Sequence, residues 1–113
     1  MSHSEHPKTR FENYDKMKAS GIIEAGWVPY YFPRSATDIH EQHDLDTNQV
    51  NIDFKYKKED IKELQKICTT LFENDEGYKF ICPPYDERSS IFNLHSDGVG
   101  YYSSASEGLK YKK

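Results

Sequence analysis

The sequence lacks most of the features that identify a class of protein directly. Cysteine occurs only at Cys68 and Cys82, so the chain can form at most one disulfide, and a fold held by a disulfide framework is excluded. No window approaches the roughly 20 apolar residues that cross a bilayer. The first residues lack the charged start and apolar run of a secretory signal. The sequence therefore predicts a cytoplasmic protein as written, and a periplasmic or envelope protein if a leader has been removed.

Signatures of catalysis and of nucleic-acid binding are missing as well. No serine lies in a G-x-S-x-G nucleophile elbow, and there is no Gly-rich loop for phosphate. The net charge of −4 disfavours nucleic acid as a partner, because neutralising phosphates requires clustered Lys and Arg. We expect a protein that is not an enzyme, uses no cofactor and binds no nucleic acid.

The residues that are present are sufficient for one folded domain. The 113 residues include 6 Phe, 9 Tyr and 1 Trp, and aromatic side chains bury large apolar areas. A chain of this length buries roughly 60–70% of the surface that its unfolded form exposes. We predict a flexible arm over residues 1–9, a single α+β domain over residues 10–103 and a polar tail over residues 104–113.

Two segments have the apolar spacing of helices. The first covers about residues 10–20, because Thr9 and Glu12 have the spacing of a capping box and Gly21 suits the position after a helix. The second follows Asp60 and continues to a turn cluster that starts at Asn74. Its apolar stripe consists of Ile61, Leu64, Ile67, Cys68 and Leu71.

Five further segments read as strands. Residues 49–56 alternate apolar and polar side chains and residues 35–43 do so weakly, which predicts a hairpin with a polar turn at residues 44–48. The other segments are 78–82, 89–95 and 99–103. These elements predict a mostly antiparallel sheet of about five strands with two helices packed on one face.

The segment between the first helix and the hairpin is apolar but contains Pro29 and Pro33. Because proline removes a backbone donor, residues 22–33 are not expected to form a helix or a central strand. We predict an extended cover across the core, with Trp27 as a core residue.

The stretch from His40 to Asp46 concentrates imidazole and carboxylate groups, which can bind zinc or transfer protons. One hypothesis is a metal-dependent hydrolase that uses His40, His43, Asp44 and Asp46. On a strand, however, residues three apart point to opposite faces, so the two histidines would not share an ion. A calcium loop starting at Asp44 fails because Gln49 stands where glycine is required. We expect a solvated hairpin and no metal.

Acidic residues accumulate between Arg34 and Asp53, where five carboxylates face one guanidinium, a balance of −4. Such a local field steers a basic partner, and tyrosine is enriched at interface hot spots. We predict a partner-binding surface, whose residues are Tyr30, Tyr31, Asp38, Glu41, Asp44 and Asp46. The alternative is an acidic turn that only interacts with solvent.

Two interpretations of Cys68 and Cys82 are open at this stage. The position of Cys68 on an apolar helical stripe favours two buried thiols in a reducing compartment. A disulfide in an oxidising compartment is equally compatible, and it would add about 3 kcal/mol to the stability.

Several short motifs resemble one bacterial family. They are Gly26-Trp27-Val28-Pro29, Pro33-Arg34-Ser35-Ala36 with Ile39, and His43-Asp44-Leu45-Asp46-Thr47-Asn48. Over about residues 10–56 the chain resembles the YbbD-type head domain, which occurs in small stand-alone proteins and in envelope lipoproteins. The resemblance implies a non-enzymatic, often exported module and supplies no catalytic residues. The lipobox cysteine of the lipoprotein members has no counterpart here.

These observations give two expectations for function. The first is a protein-binding module, an immunity-type inhibitor that neutralises a cognate toxin, with a basic toxin domain as its partner. The alternative is an envelope lipoprotein-like head domain with a structural or ligand-binding role. Neither expectation fixes the oligomeric state.

Overall fold

The structure, a computed structural model, describes residues 8–44, 49–83 and 89–104. The predicted tail after Ser104, the turn at residues 45–48 and all of the predicted arm except Lys8 and Thr9 lie outside these ranges. Lys8 and Thr9 belong to the first strand.

The described residues form one antiparallel sheet of seven strands in the order β1-β2-β3-β7-β6-β5-β4. In chain order the strands are β1 (Lys8–Asn13), β2 (Thr37–Asp44), β3 (Gln49–Lys55), β4 (Thr69–Asn74), β5 (Gly77–Cys82), β6 (Ser90–His95) and β7 (Val99–Ser104). The last strand inserts beside β3, in the middle of the sheet. Strands from both halves of the chain therefore meet at the centre.

The helical part of the described residues is small. It consists of α1 (Tyr14–Ala19), a 3-10 turn (Lys58–Asp60) and α2 (Ile61–Ile67). The prediction of about five strands with two packed helices is therefore wrong, since the described chain has seven strands and helices of only six and seven residues.

The first half of the predicted helix at residues 10–20 is strand β1. Phe11 lies opposite Ile39 of β2 and packs against the core, which a helical turn at this position would not allow. The helix begins instead at Tyr14, after the N-cap residue Asn13, whose side-chain oxygen accepts a hydrogen bond from the Lys16 backbone N–H at 3.0 Å. Isolated short helices are marginal in water, so strand pairing outweighs a capping pattern here.

The last part of the predicted second helix is strand β4. Cys68 caps α2 in an extended conformation and is bonded to Cys82 at the end of β5, so the chain turns into the sheet. Two β-branched residues, Thr69 and Thr70, then favour a strand. Leu71 was expected on the apolar stripe, but it is 52% exposed on this edge strand.

The other strand predictions are confirmed. The hairpin β2–β3 forms, and β5, β6 and β7 agree with the predicted segments 78–82, 89–95 and 99–103 to within one residue at each end. Strict alternation along β3 places Val50, Ile52 and Phe54 in the core and their neighbours in solvent.

The connection between α1 and β2, residues 20–36, lies across one face of the sheet, and we call it the cover. Its central residue is Phe32, fully buried, whose ring centroid lies 4.7 Å from that of Phe54 and 5.6 Å from that of Phe92. The prediction that this segment covers the core without forming a helix or a strand is confirmed, but its backbone forms turns, such as the one closed by the 2.9 Å bond from the Ala25 N–H to the Gly21 carbonyl, and is not extended as predicted. Trp27 is half-buried and packs on the His43 ring, with centroids 4.0 Å apart.

The opposite face of the sheet carries no helix and no cover in the described ranges, and we call it the open face. Along β3 it presents Asn51, Asp53 and Lys55, all exposed. The helices and the cover thus leave two different surfaces, one on each side of a single sheet.

Candidate binding surfaces

Polar side chains form two rows across the open face. His40, Asp53, Tyr101 and Asn93 lie directly opposite one another on β2, β3, β7 and β6. Two residues further along, Gln42, Asn51 and Ser103 form a second row. Residues directly opposite in antiparallel strands have Cβ atoms about 4.5–5.5 Å apart, so the two rows make a continuous polar surface.

These rows line a groove of about 420 Å³, with Lys8 and Arg10 at its β1 end. Tyr101 is 47% exposed in the groove, and its ring meets His95 edge-on with centroids 5.5 Å apart. Sequence analysis did not select Tyr101. The available signal was the adjacent pair Tyr101 and Tyr102 within a strand, because one of two neighbouring strand residues must face outward.

Asp38 organises the charges beside the groove. It occupies an irregularity in the pairing of β2 with β3 and has a φ of +48°. Its carboxylate accepts a hydrogen bond from Arg10 Nε at 3.1 Å, lies 3.1 Å from His40 Nε2 and has Lys55 Nζ at 3.9 Å. The hydrogen bond with His40, followed by that from Arg10, lowers the pKa of Asp38. The negative charge of Asp38 is therefore offset by its neighbours.

The structure separates the residues that sequence analysis grouped into one acidic surface. Asp38 lies on the open face, whereas Glu41 lies opposite the buried Ile52 and faces the covered side. There burial raises the pKa of Glu41, and the charge of His43 acts in the opposite direction. Asp44 is the last residue of β2, and Asp46 lies outside the described residues.

His40 and His43 lie on opposite faces of the sheet, as their spacing predicts. His40 is beside Asp38 on the open face, and His43 packs against Trp27 on the covered side. Within the part of the chain that the structure describes, no three His, Cys, Asp or Glu side chains are grouped so that they could hold a metal ion.

Tyr30 and Tyr31 border a recess of about 330 Å³ on the covered side, between the cover and α2. Tyr30 is 67% exposed, more than any other large apolar side chain in the described ranges. Its ring meets that of Tyr31 edge-on, with centroids 5.2 Å apart. The Tyr31 hydroxyl donates to the Pro83 carbonyl at 2.9 Å, and the Tyr14 hydroxyl donates to the Tyr30 carbonyl at 3.2 Å. The Tyr31 side chain is therefore anchored through its hydroxyl, whereas Tyr30 is held at its backbone and through the ring contact with Tyr31.

The charged groups around this recess come from a part of the sequence that the analysis did not connect with the tyrosines. Asp60 and Glu63 line it together with Arg34. Asp60 Oδ2 accepts hydrogen bonds from the Ser35 backbone N–H and hydroxyl, which fixes the 3-10 turn against the cover. The Arg34 guanidinium lies over the Tyr14 ring, 5.7 Å from its centroid. Only tertiary packing brings α2 beside the cover.

A comparison with protein families concerns the N-terminal half of the chain. The family model described as the YbbD head domain matches residues 5–55. Residues 5–55, a little less than half of the chain, are therefore similar to the YbbD head domain. The resemblance inferred from the motifs is confirmed, and the match includes Tyr30, Tyr31 and the β1, β2 and β3 side of the groove. No curated protein and no solved structure matches the chain.

The segment after the YbbD head domain contributes α2 and strands β4 to β7 to the same sheet. Cys68 and Cys82, both in this segment and both buried, form a disulfide in the structure. Neither of the two helices described is long and apolar enough to cross a membrane.

Proposed function

We propose that this YbbD head domain protein is a non-catalytic protein-binding module, an immunity-type inhibitor that neutralises a cognate toxin with Tyr30 at the centre of its interface. The observation that carries the proposal is a tyrosine that is 67% exposed, with its backbone carbonyl bonded to the Tyr14 hydroxyl and its ring against that of Tyr31. Tyr is enriched among the few residues that supply most of the binding energy of an interface. A fixed backbone and a ring contact leave the side chain less conformational entropy to lose when a partner binds.

The chemistry of the recess favours a basic side chain of the partner. Two carboxylates, Asp60 and Glu63, face one guanidinium, Arg34, which leaves a charge of −1 around the recess. Arg34 is already placed over the Tyr14 ring, and Glu63 lies 3.9 Å from Nζ of the exposed Lys66. A Lys or Arg against the exposed Tyr30 ring would gain cation–π attraction, about 0.5–1 kcal/mol at an exposed site. This agrees with a basic toxin domain as the partner.

The distribution of reactive groups supports a binding role over catalysis. His40 and Asp38 lie on the open face, Glu41 and His43 lie on the covered side, and the two cysteines are bonded to each other. Nucleophilic catalysis requires a nucleophile, a base and an orienting group in contact. On the open face the His40–Asp38 pair shares the groove side with the Ser103 hydroxyl, but that hydroxyl donates to Asn51 Oδ1 at 3.1 Å rather than to His40.

The test is coexpression with the product of the adjacent gene, followed by measurement of growth and of the dissociation constant. The chain should restore growth, and Tyr30→Ala should weaken binding roughly 30-fold, because hot-spot truncations cost about 2 kcal/mol or more. The matched control is Tyr101→Ala, which removes an exposed tyrosine from the opposite face. A non-toxic neighbouring product, or full affinity in Tyr30→Ala, would contradict the proposal.

A second candidate function is favoured by the disulfide. Disulfides persist in oxidising compartments such as the periplasm, so the bond between Cys68 and Cys82 is what an envelope head domain requires. Fractionation of the source cells tests this role. The envelope role predicts that the protein is found in the envelope fraction with its disulfide formed, and that deleting the gene does not change toxin sensitivity. The immunity role predicts that deletion makes the cells sensitive.

A further inference from the structure

The groove on the open face has a lining suited to uncharged ligands. Its polar groups are mostly amides, a hydroxyl and an imidazole, which combine hydrogen-bond donors and acceptors without net charge. They are Gln42, Asn51, Asn93, Ser103 and His40. The exposed ring of Tyr101 lies among them and supplies one apolar surface.

Charges of both signs lie near the groove. Lys8, Arg10 and Lys55 are positive and Asp53 and Asp38 are negative, which leaves an excess of one positive charge. Arg10 is bonded to Asp38 through Nε, and Lys55 Nζ lies 3.9 Å from the same carboxylate. Glu41 borders the groove through its place on β2, but its side chain faces the covered side. Asp38 therefore offsets part of the positive charge that an anionic ligand would need.

We propose that this groove binds a neutral saccharide, with one sugar ring stacked on Tyr101. A pyranose has an apolar face of C–H groups and a rim of hydroxyls that both donate and accept hydrogen bonds. The Tyr101 ring matches the apolar face, while Asp53 and Asn93, directly opposite Tyr101 on either side, reach the rim. A volume of about 420 Å³ lies within the range of small-ligand sites, about 300–1,000 Å³.

The polar lining and the concave shape distinguish this occupant from a protein. The cores of protein interfaces are depleted in Lys and Asp and enriched in aromatic residues, whereas this groove has a single exposed aromatic ring among amides and charged side chains. The two polar rows lie two residues apart along the strands, so a short glycan could contact both of them at once. The site is independent of the recess at Tyr30, on the other side of the sheet.

The experiment is a titration of the isotope-labelled full chain with maltotriose, cellotriose and triacetylchitotriose, each at up to millimolar concentration and followed by NMR. At least one trisaccharide should shift the amide signals of Asp53, Asn93 and Tyr101. Tyr101→Ala should weaken that binding by about tenfold, the equivalent of roughly 1.4 kcal/mol for a lost aromatic contact. Asn93→Ala should weaken it as well, and Tyr30→Ala should leave it unchanged.

Three outcomes would overturn the proposal. They are no shift on the open face with any of the three sugars, equal binding by Tyr101→Ala and the unmodified chain, and shifts at Lys8 and Arg10 with sulfate but not with sugar. Folding of each variant is checked by its amide spectrum. Loss of toxin-partner binding in Tyr101→Ala would assign the open face to the protein partner, and would also overturn the proposal. None of the sugar measurements depends on the inhibitor function.

Discussion

At the scale of single residues, Asp38 shows how an unusual backbone conformation can be maintained. A φ of +48° is uncommon for a residue other than glycine, although Asp tolerates it better than most. Here the conformation places the carboxylate between Arg10, His40 and Lys55. These charge-assisted contacts offset the backbone cost, and they position the positive groups beside the groove.

The first prediction concerns the acidity of Asp38. Its pKa in the folded chain should lie below 3.8, because His40 and Arg10 stabilise the carboxylate. The carboxylate therefore adds stability above the unfolded-state pKa, and this contribution is lost as the pH falls through the lower folded-state value. An NMR titration of the side-chain carboxyl measures it. Arg10→Ala should raise this pKa, and Lys8→Ala should not; equal titration in all three proteins would refute the assignment.

The second prediction concerns Glu41, whose pKa is shifted in the opposite direction to that of Asp38. Burial raises its pKa above 4.5, so the folded state favours the protonated form. The stability it contributes is present below the unfolded-state pKa and is lost as the pH rises through the folded-state value. Glu41→Gln should therefore be more stable than the unmodified chain at neutral pH. This difference in stability should be smaller in acid. Urea unfolding at both pH values checks this, and a difference that does not change with pH would contradict it.

At the scale of elements, the local sequence pattern predicted the central strands of the sheet but not its edge strands. Strict alternation predicted β3, because Val50, Ile52 and Phe54 bury one face of a central strand. The edge strands β1 and β4 carried helical spacing in the sequence. Their conformation depends on distant partners, namely Ile39 opposite Phe11 and Cys82 bonded to Cys68. No local propensity encodes those contacts.

The residues of the binding surfaces could likewise be predicted only in part. Tyr30 and Tyr31 could be selected from residue type and from their place beside the acidic segment, and the structure does place them together. Their acidic neighbours could not be selected, because Asp60 and Glu63 reach them only when α2 packs beside the cover. Asp38 and Glu41 are three apart on one strand, and the pleat sends them to different sides.

The third prediction tests close packing between β7 and the core. A Cβ atom at Gly100 would lie 2.6 and 2.7 Å from two ring atoms of Phe54, so Gly100→Ala should cost about 1–3 kcal/mol of unfolding free energy. The control is a double-mutant cycle with Phe54→Leu, which removes the ring. In that background the same substitution should cost clearly less, whereas additive effects would show that the clash is not the cause.

The fourth prediction concerns the disulfide between α2 and β5. The two cysteines are 14 positions apart, and closing a loop of this length stabilises a protein by about 3 kcal/mol. Reduction should lower the free energy of unfolding by about that amount, measured in urea with and without reductant. The variant with both Cys68→Ala and Cys82→Ala serves as control, because reductant should not affect it. An equal response of both proteins would refute a stabilising bridge.

At the scale of the whole molecule, one sheet separates two surfaces with different chemistry. The covered side presents an exposed tyrosine beside carboxylates, and the open side presents a groove lined by uncharged polar groups and by charges of both signs. The core between them contains Phe32, Phe54 and Phe92 in mutual contact. Close-packed interiors resist small displacements, so one surface can be occupied without reshaping the other.

The fifth prediction follows from this arrangement. The dissociation constant of the protein partner, measured by calorimetry, should be the same with and without a saturating trisaccharide, because neither ligand favours a different state of the sheet. Tyr101→Ala provides the control, since it should abolish any effect of the sugar. A change of tenfold or more that disappears in this variant would show that the two surfaces are coupled.

The disulfide between Cys68 and Cys82 also affects whether copies of the chain can exchange strands. Strand β4 lies at the margin of the sheet and carries the exposed Leu71 and Phe72, the sort of segment that neighbouring molecules can exchange. Because Cys68 and Cys82 flank β4 and β5, the hairpin is a closed ring, and its outer strand cannot leave its own sheet to replace the equivalent strand of another copy. Reducing conditions would open that route, so exchange of β4 alone should be confined to the thiol form.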